Sequence, residues 1–224
     1  MSDPRLLDLF CGAGGAAMGY HRAGFDVVGV DIKPQPRYPF EFHQADAMTY
    51  PLDGFDAIHA SPPCQRFSKS VDKADRPKHP DFIEAIRGRL VESAEPYVIE
   101  NVPGAPLRSP IVLCGSMFSL GVRRHRLFES NLYLAVPRCR HEMYAPRYPP
   151  AWNRKNPLRF VAVSGGWSNV SHAEAKKAMG IDWMNPGELS EAIPPTYTDF
   201  IGRQLIRALS SDSVGRASVA QEPA

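Results

Sequence analysis

Two short segments combine reactive side chains with residues that stiffen or turn the chain. Pro62-Pro63-Cys64-Gln65 holds a thiol in a proline-rigid loop, with Arg66 and Lys69 close behind it in sequence. Positive charge lowers a thiol pKa, so such a cysteine can serve as a nucleophilic thiolate. Glu100-Asn101-Val102-Pro103 carries a carboxylate that follows the apolar Tyr97-Val98-Ile99. A third segment, Gly12-x-Gly14-x-x-Ala17, is followed by Asp31, 19 positions beyond Gly12. Glycines spaced this way let a backbone approach a ligand closely, and an acid at that distance suits a ribose hydroxyl pair. That pattern indicates an adenosine cofactor and serves nicotinamide cofactors and S-adenosylmethionine alike.

Elements of alternating type must position these groups. Arg5 to Phe10 reads as a buried strand ending at the glycines, Ala16 to Ala23 as a helix stopped by Gly24, and Phe25 to Val30 as a second strand ending in Asp31. A third short strand precedes Asp46, and Phe55 to Ala60 forms a fourth that ends at Ser61-Pro62-Pro63-Cys64. Pro80 to Ser93 has helical periodicity, and Tyr97 to Glu100 is the next strand. Strands alternating with helices predict a parallel, doubly wound Rossmann-like α/β sheet, whose ligands bind outside the carboxyl ends of the strands. Cys64 and Glu100 then face one pocket on that rim.

Composition narrows the role. The 224 residues suit one domain with a small lobe, and 26 basic against 24 acidic residues give a net +2, which excludes a polyanion-coating protein by bulk charge. Any nucleic-acid contact must be local. From Val122 to Arg159, nine basic residues (Arg123, Arg124, Arg126, Arg138, Arg140, Arg147, Arg154, Lys155 and Arg159) face only Glu129 and Glu142, with Tyr133, Tyr144, Tyr148, Trp152 and Phe160 close by. This stretch can track phosphates and stack on bases. The four cysteines form no CxxC pair and no signal-type leader is seen, which points to a reducing cytoplasm; no apolar run is long enough to span a membrane. Cys139-Arg140-His141, with Cys114 or His125, offers zinc-ligand types at irregular spacing, and no metal ligand is assigned. His172 to Met179 and Tyr197 to Leu209 read as further helices, and Ser210 to Ala224 as a disordered tail.

The motifs Asp8-Leu9-Phe10-Cys11-Gly12-Ala13-Gly14-Gly15, Ser61-Pro62-Pro63-Cys64-Gln65-Arg66-Phe67-Ser68, Glu100-Asn101-Val102 and Arg124-His125-Arg126, in this order, closely resemble the DNA cytosine-5 methyltransferase family, in particular its compact, phage-type members. The resemblance covers about residues 5 to 130. It implies an enzyme that transfers a methyl group from S-adenosylmethionine to carbon 5 of cytosine in DNA through a covalent Cys64 adduct. Glu100 would protonate or bind the ring nitrogen at position 3, Arg126 would hold the 2-oxo group, and Arg124 would position Glu100 or a phosphate. Phe10, Gly12, Gly14, Asp31, Ile32, Asp46 and Pro63 would hold the cofactor. Gln65, Ser68, Lys69 and Asn101 would lie on the DNA side, with Asn101 also tethering the Pro-Cys loop. The segment from Phe67 to Pro80 would close over a flipped-out or unpaired cytosine. A restriction-modification setting, in a bacterial or phage-infected cell, and a protein acting as a monomer accord with the resemblance.

Departures from the family pattern shape further expectations. No glutamine precedes the arginine motif, and no closing Gly-Asn motif stands near Ile193-Pro194-Pro195-Thr196-Tyr197, where Pro195 and Tyr197 are expected to line the cofactor site. The organisation expected is a catalytic domain at 1–134, a target-recognition region at 135–192, a returning helix at 193–209 and a tail at 210–224. Only about 60 residues are available to the reader, with Trp167 and Gly165-Gly166 as a candidate base-side loop. Each bidentate base contact supplies about 1–3 kcal/mol of discrimination, so a short or relaxed target is expected. The competing readings are the same reaction on RNA, a catalytically silent DNA-binding relative, and a nicotinamide oxidoreductase.

Overall fold

The computed structural model describes residues 3–139, 160, 161, 163 and 170–219. The basic and aromatic residues between 140 and 159, with His141, Gly165, Gly166 and Trp167, lie outside the described residues.

Strand β1 (Arg5–Leu9) forms at the centre because Leu6, Leu7 and Leu9 are all apolar and fully buried. A strand buried on both faces needs such a near-continuous run. It pairs in parallel with β2 (Asp26–Asp31) on one side and β4 (Ala57–Ala60) on the other. Outside β2 lies β3 (Glu41–Gln44), whose polar, largely exposed sequence suits an edge. Beyond β4 come β5 (Tyr97–Asn101), β7 (Arg126–Ser130) and β6 (Ile111–Leu113), giving the order β3-β2-β1-β4-β5-β7-β6. Strand β7 runs antiparallel to both neighbours. The doubly wound sheet therefore carries one reversed strand, next to its β6 edge, that helix–strand alternation did not foretell.

Five α-helices accompany the sheet among the described residues: α1 (Gly15–Ala23), α2 (Ile83–Glu92), α3 (His172–Met179), α4 (Pro186–Glu191) and α5 (Pro195–Val219). Alternation along β1 sends Leu6 to one face, where Ala17, Tyr20, Tyr197, Ile201 and Leu205 pack. Leu7 and Leu9 point to the other, against Val28, Ile58, Ile86, Leu90 and Ile99. Helix α5 lies so close to α1 that a Cβ on Gly19 would sit 2.0 Å from Thr198 Oγ1 and 2.1 Å from the Pro195 carbonyl oxygen. A smaller apolar cluster, with Val122, Val163, Ala178, Met179, Met184 and Leu189, ties α3 and α4 to the strand β7 approach. Ser171 with Glu174, and Asn185 with Glu188, form reciprocal capping boxes that start those two helices.

The last helix continues through the small, polar stretch that composition assigned to a disordered tail, and ends at Val219; residues 220–224 lie outside the described set. Alanine and serine tolerate helix well, and no proline stands before Pro223 to stop it. Among the described residues no helix is long and apolar enough to cross a membrane.

Candidate active site

The β1–α1 turn runs through left-handed backbone at Phe10 (φ 58°), Gly12 (49°) and Gly14 (81°), a conformation the two glycines take freely and Phe10 takes against its side-chain preference. A side chain at Gly14 would also collide with Pro39, 2.7 Å from a built Cβ, whereas at Gly12 nothing lies within 4 Å, so the turn borders open space. Asp31 accepts from the Gly12 N–H at 3.1 Å and the Lys33 N–H at 2.9 Å, joining the glycine turn to the end of β2. Next to it Ile32 is 66% exposed. Asp46 is exposed beyond β3, where its Oδ1 accepts from the Met48 N–H at 2.9 Å. Phe10 stacks on Phe82 with ring centroids 6.2 Å apart. Open backbone, an acid and an exposed apolar side chain along one rim fit an adenosine cofactor, with Phe10, Gly12, Gly14, Asp31, Ile32 and Asp46 as its expected contacts.

Below this rim the polar groups are buried. Asp8 has no exposed surface, and burial together with the Asp31 charge holds its pKa well above the usual carboxylate range; neither side-chain oxygen makes a hydrogen bond. Tyr20 Oη lies 2.9 Å from His59 Nδ1, and His59 Nε2 lies 2.7 Å from Ser61 Oγ. Burial lowers the His59 pKa to about 3, so it stands neutral within this chain. These groups support the turn into the Pro-Cys loop and were not singled out by the sequence.

Cys64 follows β4 at the carboxyl rim. The Ser61 N–H donates to the Leu9 carbonyl at 3.0 Å, and Asn101 Nδ2 donates to the Pro62 carbonyl at 2.9 Å. Asn101 Oδ1 takes the Val102 N–H at 2.9 Å, and the residue has no exposed surface. Asn101 therefore tethers the loop, as expected, and is corrected as a DNA contact: both ends of its amide are used inside the protein. Beyond Cys64 the chain makes a tight turn, with the N–H groups of Phe67 and Ser68 donating to the Cys64 carbonyl. Pro63, Gln65 and Ser68 are half-buried around it, and Lys69 is exposed.

The thiol is governed by charges other than those nearest in sequence. Burial raises the Cys64 pKa most, Glu100 raises it further, and Arg126 and Arg124 oppose them. Arg66 instead donates to the carbonyls of Pro77 and His79, bracing the 67–80 segment, so the expected activation by Arg66 and Lys69 is replaced by a pair of arginines on the β7 side. Glu100 is 6% exposed, and burial raises its pKa, opposed by Arg126 and then Arg124. Arg126 Nε sits 3.0 Å from Glu100 Oε1, a charge contact without the alignment of a hydrogen bond. Thiol, buried acid and guanidinium thus converge at one place on the rim.

Arg124 differs from Arg126. It is buried, donates to the Val163 carbonyl and, at 2.7 Å, to that of Ser190, and is pulled down to about 9 by burial and by Arg126. It acts on Glu100 and Cys64 through its field and fastens the lobe bearing α3 and α4. Tyr197 is corrected as a cofactor contact: fully buried against Phe118 and Phe128, it donates to the Arg124 carbonyl at 2.6 Å. Pro195 is buried likewise. Trp183, unremarked in the sequence, donates to the Ala13 carbonyl at 2.8 Å and so pins the glycine turn from the lobe.

Residues 4–107, which carry the glycine turn, Cys64 and Glu100, match the model of C-5 cytosine-specific DNA methylases. The matched stretch, just under half of the chain, is similar to that family. The chain is similar to the type II methyltransferase M.AplI of Arthrospira platensis, 29% identical over 66% of this chain and 46% of that protein. M1.HphI of Haemophilus parahaemolyticus is 33% identical over 43% of this chain and 32% of that protein. The chain thus spans less than half of either relative. In fold it is similar to a protein described as a DNA modification methyltransferase of an E. coli prophage, with TM-score 0.64 and 18% identity, covering 93% of this chain and 100% of that one. The S. pombe Dnmt2 methyltransferase shares the fold at TM-score 0.57 and 12% identity, over 92% and 99% of the two chains. The segment beyond residue 107, with Arg124, Arg126 and the lobe, lies outside the matched region.

Proposed function

We propose that this chain methylates carbon 5 of cytosine in DNA. The observation that carries the reading is the meeting of Cys64 with Glu100 and Arg126: a buried acid whose pKa burial raises, held by a guanidinium, close to a thiol at the end of a strand. Carbon 5 of cytosine is a weak nucleophile. Addition of the Cys64 sulfur to carbon 6 forms a C–S bond and turns the ring into an enamine that is nucleophilic at carbon 5. Glu100 gives its proton to, or shares it with, the ring nitrogen at position 3, which draws electrons from carbon 6. Arg126 faces the 2-oxo group and offsets the charge that develops there. Phe10, Gly12, Gly14, Asp31, Ile32, Asp46 and Pro63 would hold S-adenosylmethionine, whose methyl group would pass to carbon 5 with release of S-adenosylhomocysteine. Loss of the carbon 5 proton to a base then expels Cys64 and restores the ring.

In a duplex the target base must leave the stack, at a cost of a few kcal/mol, to reach a thiol in this position. Lys69, Lys73 and Lys78 on the segment after Cys64, with Gln65 and Ser68, supply donors for the displaced strand, and the compact lobe favours a short or relaxed target sequence. The experiment is methyl-transfer assay on matched DNA and RNA oligonucleotides with the wild-type chain and Cys64→Ser. Transfer to DNA that is lost in Cys64→Ser, with a covalent Cys64 adduct on 5-fluorocytosine DNA, is the expected result. Transfer to RNA alone, an adduct on another residue, or wild-type turnover by Cys64→Ser overturns the proposal.

A further inference from the structure

Three residues at positions 114, 125 and 139 meet at the end of the β6–β7 pair that residues 114–125 connect. Cys114 follows β6, His125 precedes β7, and Cys139 lies on the chain that leaves the sheet after β7. Their ligand atoms all lie within 4.8 Å of one another, and Cys139 Sγ is 3.8 Å from His125 Nε2. Bonds of about 2.3 Å to sulfur and about 2.0 Å to nitrogen in a tetrahedron place ligand atoms roughly 3.5–3.8 Å apart. The cluster needs only a slight contraction to reach that size. Ser116, also buried, sets its hydroxyl 3.4 Å from Cys114 Sγ and 3.5 Å from Cys139 Sγ, where it can donate to a thiolate and orient it.

We infer that Cys114, His125 and Cys139 bind a zinc ion that clips the chain leaving β7 to the β6–β7 strand pair. The irregular spacing that argued against a metal in the sequence loses its force here, because the antiparallel pairing of β6 with β7 brings position 114 beside position 125. Two sulfur ligands and one imidazole select a soft, tetrahedral ion over magnesium or calcium. On binding, the thiol protons leave to solvent and two S–Zn bonds and one N–Zn bond form, with water completing the tetrahedron. Cys114 is buried while His125 and Cys139 are half-exposed, so the ion has a route in. His125 stands between Arg124 and Arg126, so the ion would fix the stretch that delivers both arginines to Glu100.

The test uses the full chain, purified without chelator, and reads metal directly. Elemental analysis is expected to give one zinc per chain, and cobalt substitution a spectrum with thiolate charge-transfer and tetrahedral d–d bands. Cys64→Ser should keep the metal, whereas Cys139→Ser should weaken zinc binding by more than about 100-fold. Should Cys139→Ser fold poorly, thiol labelling of the wild-type chain gives an independent answer: zinc should shield Cys114 and Cys139 and leave Cys64 reactive. Absence of stoichiometric zinc, a cobalt spectrum without sulfur ligation, unchanged zinc affinity in Cys139→Ser, or a Cys114–Cys139 disulfide in the fresh protein overturns the inference.

Discussion

Replacing Arg126 by methionine keeps the length of the side chain and removes the charge that faces Glu100. The two groups are 3.0 Å apart with side chains 14% and 8% exposed. Unit charges at that distance attract by about 5 kcal/mol at an effective dielectric near 20. Removing one member of a buried pair typically costs about 3–5 kcal/mol. Arg124 remains and also favours the ionised acid, and Glu100 can escape the cost by keeping its proton, so about 2–3 kcal/mol is expected at alkaline pH. The sign of the pH dependence follows from burial. Because the folded pKa of Glu100 is raised, its contribution to stability is present at low pH and is lost as pH climbs from the ordinary carboxyl range through the folded value. Arg126→Met moves that folded value higher still. Below both folded values the carboxyl is neutral in either protein and the charge penalty vanishes. Between them the penalty grows by about 1.4 kcal/mol per pH unit, and above both it levels off. Urea unfolding from pH 5 to 9, repeated in a Glu100→Gln background, measures it. A penalty that does not change with pH, or that is the same in Glu100→Gln, would refute the coupling.

Two further outcomes are accessible by simple measurements. Since burial and then Glu100 hold the Cys64 thiol up, iodoacetamide should label Cys64 more slowly than a free thiol at pH 7, and Glu100→Gln should accelerate it several-fold; slower labelling in Glu100→Gln would contradict the assigned charges. Gly19→Ala forces a methyl group to within 2.0 Å of Thr198 Oγ1 and 2.1 Å of the Pro195 carbonyl, and overpacking of this kind costs about 1–3 kcal/mol or more. Thermal unfolding should show a lowered midpoint, and an unchanged one would mean that α1 and α5 are not in such contact.

What could be read in advance was local. The β1–turn–α1–β2 unit, the strand before Cys64 and the strand carrying Glu100 each announce themselves by an apolar run and a break, and parallel pairing then places Cys64 and Glu100 on one rim. What stayed hidden depends on distant partners. Strand β6 has three residues with Val112 exposed, and β7 opens on arginine and contains Glu129, which looks like surface until Arg87 is found forked onto it at 2.6 and 2.8 Å in the interior. Trp183 reaches a carbonyl 170 positions away, and no periodicity reports such a contact. Asn101 was legible as a tether because it follows Glu100 directly, yet its complete burial follows only from the packing of β5 between β4 and β7.

The seam between α1 and α5 also bears on the order of assembly. Until α5 is in place, Leu6 of the central strand and Ala17 and Tyr20 of α1 lack the covering of Tyr197, Ile201 and Leu205. The same seam holds the turn itself, since Thr198 Oγ1 donates to the Ala16 carbonyl at 2.8 Å. The scaffold beneath the rim is therefore completed only when α5 docks against α1.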